Sequence, residues 1–195
     1  MSDWENITPL PEPVAIRLVQ GYLEERKLNG KKIPENNDGQ GNKTPDLQIM
    51  IGDEPLALAE IKTPELTLDP IFKMYLWKTT FYKIRKFVHK AYKQFDKFDI
   101  SHNLPRVLFF TSNHPQLNWT NLVHSVTGVV GYGNTIIRDF RDLSFLSDSD
   151  VELNQVDAIV WLQVNYITPS VFQHFEYYNQ TSKYSDKLKR YLTIK

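Results

Sequence analysis

The sequence predicts a mixed α/β domain, and three features carry that prediction. Two apolar runs, Leu47–Ile51 and Leu56–Lys62, are separated by Gly52-Asp53-Glu54-Pro55, a spacing that allows only a tight antiparallel hairpin. Two further apolar runs, Val107–Thr111 and Ala158–Leu162, are short enough to be buried strands. Between and before them lie segments with helical spacing.

The first helix is expected from Pro13 to Lys27, where Ala15, Leu18, Val19, Tyr22 and Leu23 recur at helical intervals. Proline is favoured at its start because the missing N–H is not needed there. Asn29-Gly30 is expected to stop it. Residues 31–44 are polar and read as a loop, with at most a very short strand around Ile33. After the hairpin, Thr63-Pro64 halts the second strand. A long helix is expected from Thr80 to Phe98, where Ile84, Val88, Ala91, Phe95 and Phe98 step by four, three, four and three. The strand at 107–111 and a helix around Asn118–Thr127 follow. Residues 128–156 read as irregular, and two short helices are expected after the strand at 158–162. Val171-Phe172 falls in the first and Leu188 with Tyr191-Leu192 in the second.

Composition bounds the possibilities. The chain of 195 residues fits one domain, 1–195, with its core over about 12–111 plus a strand at 157–164. Lys plus Arg equals Asp plus Glu at 23 each, which excludes a polybasic coat protein. An apolar fraction of 41% with 13% aromatics excludes a disordered chain. The absence of cysteine excludes disulfides, a thiol nucleophile and thiolate zinc sites. The start, Met1-Ser2-Asp3-Trp4-Glu5, is acidic and unlike a secretory leader. No apolar run approaches the ~20 residues of a membrane helix. A soluble cytoplasmic protein without a membrane partner is the expectation.

The hairpin carries the chemistry. With the turn centred on Asp53, facing residues sum to about 106, so Asp46 falls opposite Glu60 and Gln48 opposite Leu58. Directly opposed side chains share a face about 5 Å apart, and alternation adds Lys62 to that face. Two carboxylates repel unless a cation lies between them. A hard dication suits them, since Mg²⁺ typically takes one or two carboxylates and keeps several waters. A neighbouring ammonium can then steady a metal-activated water or a phosphate's developing charge. The other face (Leu47, Ile49, Ile51, Ala57, Ala59, Ile61) is apolar and should pack on a helix, leaving one face for the core and one for chemistry.

Pro45-Asp46, thirteen residues, then Glu60-Ile61-Lys62 resembles the signature of the PD-(D/E)XK nuclease superfamily. The order of a helix, this hairpin, a long helix and a buried strand resembles that restriction-endonuclease-like fold, a three-layer core with a central mixed sheet flanked by helices. The resemblance implies a nuclease that hydrolyses phosphodiester bonds with Mg²⁺ or Mn²⁺, a DNA endonuclease above all. It implies Asp46 and Glu60 as metal ligands, the Ile61 carbonyl completing the shell, and Lys62 as the catalytic lysine. It also implies a first-helix glutamate, for which Glu25 lies closer to the apolar stripe than Glu24, and a glutamine on the next helix, matched by Gln94. The chain departs from the family in residues 28–44, where only Leu28 and Ile33 could anchor the expected strand. Two sites are often needed for double-strand cleavage, so a homodimer is a further expectation. The alternative is a nuclease-like fold that binds or assembles without cutting.

Charge is segregated despite the neutral total. Residues 73–97 hold eight basic side chains and one acid, whereas residues 139–157 hold six acids and one basic residue. Lys83, Lys86, Lys90 and Lys93 form a stripe on the long helix suited to phosphate contacts. Lys183, Lys187, Lys189, Arg190 and Lys195 are candidates to extend it. The aromatic stretch 71–82 could stack on bases but suits a buried or subunit-facing segment better. Asn36–Gly41 lacks the ending of a phosphate loop.

Overall fold

The computed structural model describes residues 7–34, 44–66, 77–127, 129–132, 135–139 and 155–193. The segment Asn36–Gly41, the aromatic residues 71–76, Lys195 and the acidic residues 140–154 lie outside them. In chain order the elements are α1 (Glu12–Glu24), β1 (Asn29–Lys32), β2 (Leu47–Ile51), β3 (Glu54–Lys62), α2 (Trp77–Phe98), β4 (Arg106–Ser112), α3 (Trp119–Thr127), β5 (Val129–Tyr132), β6 (Thr135–Asp139), β7 (Ala158–Val164), β8 (Val171–Tyr178) and α4 (Ser185–Leu192). Six strands form one sheet in the order β1-β2-β3-β4-β7-β8, and β5 and β6 make a separate hairpin. The β3–β4 and β4–β7 pairs are parallel and the other pairs of the large sheet antiparallel. The mixed α/β class expected from sequence is the class observed.

The sheet is the middle of three layers. Ala15, Val19, Tyr22 and Leu23 of α1 and Leu188 and Leu192 of α4 pack on Leu47, Ile49, Ala57, Phe109 and Val160. On the other face Ile84, Val88, Ala91 and Phe95 of α2 and Leu122 of α3 pack on Leu58, Leu108, Phe110 and Trp161. Each large apolar side chain so buried is worth about 1.5–3 kcal/mol. Both faces of the hairpin are therefore covered, contrary to the expectation of one face left for chemistry. Leu58 lies directly under α2, and only the end of the hairpin beyond it is polar. No helix among the described residues is long and apolar enough to cross a membrane.

Three local expectations are corrected. Helix α1 does not run to Lys27 or stop at Asn29-Gly30. Lys27 adopts a left-handed conformation (φ 60°), its N–H bonds Glu24 O at 2.9 Å, and the Leu28 N–H bonds Leu23 O at 3.0 Å. Leu28 and Leu23 are buried in the same cluster, the apolar contact that accompanies this type of helix ending. Asn29-Gly30 instead begins β1, where a Cβ on Gly30 would lie 3.2 Å from both Leu23 and Leu47 side-chain carbons. The short strand expected near Ile33 is thus four residues earlier in its start.

Val129–Tyr132 and Thr135–Asp139 pair antiparallel within the segment read as irregular, and Val171-Phe172 opens strand β8 rather than a helix. Both stretches are rich in β-branched and aromatic residues, which fit a pleated surface better than a helix. Val171–Tyr178 reads as a helix only when its partner β7 is ignored, since pairing with β7 satisfies its main chain on one side.

Candidate active site

The hairpin register is the one that sequence alone required. Leu47 faces Ala59 and Gln48 faces Leu58, so Asp46 comes opposite Glu60. A bulge at Ile49/Met50 shifts pairing only in the half next to the turn, where Ile51 faces Glu54 across Gly52-Asp53. The functional half keeps its register because its inward side chains, Leu47, Ile49, Ala57 and Ala59, are fully buried and a slip would expose them.

Asp46 follows the buried Pro45 and is held by the main chain on both sides. Its Oδ2 accepts the Ile61 N–H at 2.7 Å, and its carbonyl accepts the Ile33 N–H at 3.2 Å. Glu60 is 1% exposed, sealed beneath α2. Lys62 places its ammonium on Glu60 Oε1 and donates to Gln94 Oε1 at 3.2 Å. Gln94 in turn donates through Nε2 to the Thr44 carbonyl at 3.4 Å. Gln94 therefore links α2 to Lys62 and to the residue two before Asp46. Asp46, Glu60, Ile61, Lys62 and Gln94 are brought together at one point, at the carboxyl end of a parallel strand, where open α/β sheets place their ligand sites.

The electrostatics are those of an under-neutralised pair. Burial pushes Glu60 up to about 7, the Lys62 ammonium opposes this, and the Asp46 charge adds to it. Burial also raises Asp46, against the Ile61 N–H and Lys62. Glu60 Oε2 is buried and makes no hydrogen bond of normal geometry among the described residues, although the nearby Gln94 side chain, like Lys62, favours the ionised carboxylate. An unsatisfied buried acceptor costs about 1–3 kcal/mol and calls for a partner. A hard dication between Asp46 and Glu60 would supply one, so the donor set fits such an ion. The Ile61 main chain meets Asp46 through its N–H; its carbonyl remains the group that would face the ion. Among the described residues no cluster of three or more His, Cys, Asp or Glu side chains is close enough to hold a metal, so waters would have to fill the shell.

Glu25 does not belong to this site. Its side chain is 69% exposed and pairs with Arg26 at 3.7 Å. The short link from α1 to β1 makes helix and strand antiparallel, and β1 begins beside Met50 near the hairpin turn. The C-terminal end of α1 thus lies at the closed end of the hairpin. Its N-terminal end, about 20 Å away at 1.5 Å per residue, lies at the open end. There Glu12, not Glu25, acts on the Asp46 charge and raises its pKa, while Lys32 at the end of β1 lowers it. Sequence reasoning missed both residues. The signal was connectivity rather than amphipathicity: a link of four residues between α1 and β1 already dictates which helix end faces Asp46.

On α2, Lys86, Lys90 and Lys93 are exposed, whereas Lys83 is half-buried and pairs with Glu65 at 3.5 Å. At about 100° per residue, Lys83 and Lys90 lie within roughly 40° of Gln94 and Lys86 within roughly 80°. Lys93, the neighbour of Gln94, lies about 100° round, so Lys90 is the exposed lysine of the stripe nearest the site's side of α2. Arg85, counted with the basic run, is buried and donates to the carbonyls of Ser125 and Val126 at the end of α3. Lys183, Lys187, Lys189 and Arg190 stand on or beside α4, which packs on the opposite face of the sheet, so they do not continue the stripe.

No family model matches the chain, and no curated protein or solved structure is significantly similar to it.

Proposed function

We propose that this protein is a nuclease of the PD-(D/E)XK type, hydrolysing phosphodiester bonds of nucleic acid, DNA in the first place, with Mg²⁺ or Mn²⁺. One observation carries the reading: Asp46, Glu60, Lys62 and Gln94 converge at a strand end, with Glu60 Oε2 buried and unpaired. Asp46, Glu60 and the Ile61 carbonyl are the groups that would hold the ion, which when bound supplies Lewis acidity and lowers the pKa of a coordinated water. Lys62, which now sits on Glu60, would turn to a phosphate oxygen as negative charge builds there. Gln94 orients Lys62 and, through Thr44, the strand entry that positions Asp46. Lys86, Lys90 and Lys93 would track the phosphate backbone toward this point. A reducing cytoplasmic setting agrees with the cysteine-free composition.

The competing reading is a non-cleaving nucleic-acid-binding or assembly module, and one observation favours it: Lys62 is already engaged in an ion pair with Glu60 Oε1. Incubation with plasmid, single-stranded DNA and RNA in Mg²⁺, Mn²⁺ or EDTA separates the two. Metal-dependent products that disappear in Asp46→Asn and Glu60→Gln support the nuclease. Binding without any product on all three substrates selects the module.

A further inference from the structure

We infer that the turn between β7 and β8 is a base-stacking element: Tyr166, Ile167 and Phe172 receive unpaired bases of the strand whose phosphodiester lies at Asp46 and Glu60. The inference rests on the nuclease reading and names its substrate class, nucleic acid with unpaired bases near the scissile bond.

The sheet sets the place of the turn. Strands β3, β4 and β7 are parallel, so their carboxyl ends lie at one pole of the sheet, where the candidate site is. Lys62, Phe110 and Trp161 stand in line across them, and Asn165 opens the turn just beyond. Two strand spacings of ~4.8 Å sideways and about four residues of ~3.3 Å along the strand put the turn roughly 17 Å from Lys62. That is about five nucleotides at a spacing of ~3.4 Å.

The turn concentrates exposed apolar surface and holds it in one shape. Among the described residues seven large apolar side chains are exposed, and three of them fall between Tyr166 and Phe172. Tyr166 is 48% exposed, Ile167 72% and Phe172 64%. The Asn165 N–H bonds Ser170 O at 2.9 Å, and Asn165 Oδ1 accepts the N–H groups of Ile167 and Thr168 at 2.8 and 3.2 Å. With Pro169 these bonds stiffen the turn, which lowers the entropy that a ligand must overcome. Gln163 faces Gln173 whereas Val164 faces Val171, so Phe172 is the extra residue of a bulge. Bulges re-aim a side chain and occur next to active sites.

The surroundings identify the occupant. From Ser101 to Arg138, and again from Ala158 to Phe175, the chain has no Asp or Glu. The β4–α3 loop belongs to the strand that lies between β3 and β7, so the way from Lys62 to the turn crosses a loop without carboxylates. A phosphate chain can follow that way without repulsion. A protein partner would use the same apolar turn but would not require an acid-free approach. Residues 165–173 also lack Lys and Arg, so the turn offers contact to bases rather than to phosphates. Aromatic faces stack on bases of any sequence, provided the bases are not already paired in a duplex.

The test is fluorescence anisotropy on the full chain in EDTA, with a labelled single strand, the matching duplex and the duplex with a single-stranded overhang. Metal-started cleavage of the same three is followed alongside. The parent is expected to bind the single strand and the overhang more tightly than the duplex. Tyr166→Ala with Phe172→Ala should weaken both by about tenfold or more, since each stacked base contributes substantially. Duplex affinity should hold within about twofold and the salt slope should not change, because no phosphate contact is lost. Tyr166→Trp with Phe172→Trp should keep the preference. These side chains are exposed, and circular dichroism checks that the fold persists. A parent that cuts nucleic acid but binds all three substrates alike, or an alanine variant that keeps the parent's preference, overturns the inference and leaves the nuclease reading standing. A preference that the alanine variant loses, with no metal-dependent product on any substrate, sustains the stacking turn and overturns the nuclease. A parent that binds none of the three overturns both.

Discussion

The Asp46 carboxylate accepts the backbone N–H of Ile61 at 2.7 Å, which ties the entry of β2 to the exit of β3. This bond fixes one acid while leaving the other, Glu60, to be governed by burial and by Lys62. The consequences of that division are measurable.

Glu60 makes stability fall with rising pH. Its folded pKa, pushed up to about 7 by burial, lies above its ordinary value of 4.5. Below about pH 4.5 both folded and unfolded states hold the proton and the residue contributes nothing to pH dependence. Between about 4.5 and 7 the unfolded state loses its proton first, so stability drops, by roughly 3 kcal/mol at most, and then levels off. Urea titrations of the parent and Glu60→Gln from pH 4 to 8.5 should show a clearly larger decline in the parent, the variant keeping only the part due to Asp46, whose pKa burial also raises. Added Mg²⁺ should raise the parent's stability above pH 7 and leave the variant unmoved, since an ion that binds only the folded form adds to its stability.

Lys62→Met should lose cleavage by about a hundredfold or more, as when a charge-stabilising donor is removed. It should also shift Mg²⁺ binding to higher pH, because the ammonium that favours ionised Glu60 is gone. Calorimetric titration with Mg²⁺ at several pH values distinguishes this from simple unfolding. A rate loss with an unchanged pH profile of binding would assign Lys62 to the substrate alone.

The exposed lysines of α2 should act additively on salt dependence. Changing Lys86, Lys90 and Lys93 to Gln is expected to lower the slope of log affinity against log salt by roughly 0.9 per contact on duplex DNA. Fluorescence anisotropy on unrelated duplexes in EDTA reads this without cleavage. Lys83→Gln should contribute less, since Lys83 is paired with Glu65. Thermal stability should barely change because Gln is nearly as good a helix former as Lys.

Arg26→Ala should destabilise the fold by about 3 kcal/mol without touching the site. The Arg26 side chain is buried, stacks 3.4 Å from the Tyr22 ring centre, pairs with Glu176 at 3.4 Å and bonds the Leu192 carbonyl. It fastens α1, β8 and α4 together, and its loss leaves Glu176 poorly compensated. Chemical denaturation measures the effect. Nuclease rate per folded molecule should stay within about twofold if the two ends of α1 are independent.

The sequence by itself determined the hairpin, its functional register and the face that Asp46, Glu60 and Lys62 share. Those are local consequences of a period of two and of a short turn centred on Asp53, although the structure tightens that turn to Gly52-Asp53 and starts β3 at Glu54. It determined α2 and the placement of Gln94 beside the apolar stripe for the same reason, since helical phase is read along one segment. Tertiary structure decided what depends on other segments. The exchange of Glu12 for Glu25 followed from the direction of α1 against β1, which no periodicity within the helix encodes. The strand at Val171–Tyr178 formed because β7 offered its aromatic-rich sequence a ladder, a partner that no reading of the segment alone supplies. The burial that raises Glu60 required α2 to close over β3, because a carboxylate's charge state depends on the dielectric and the neighbours that packing brings to it.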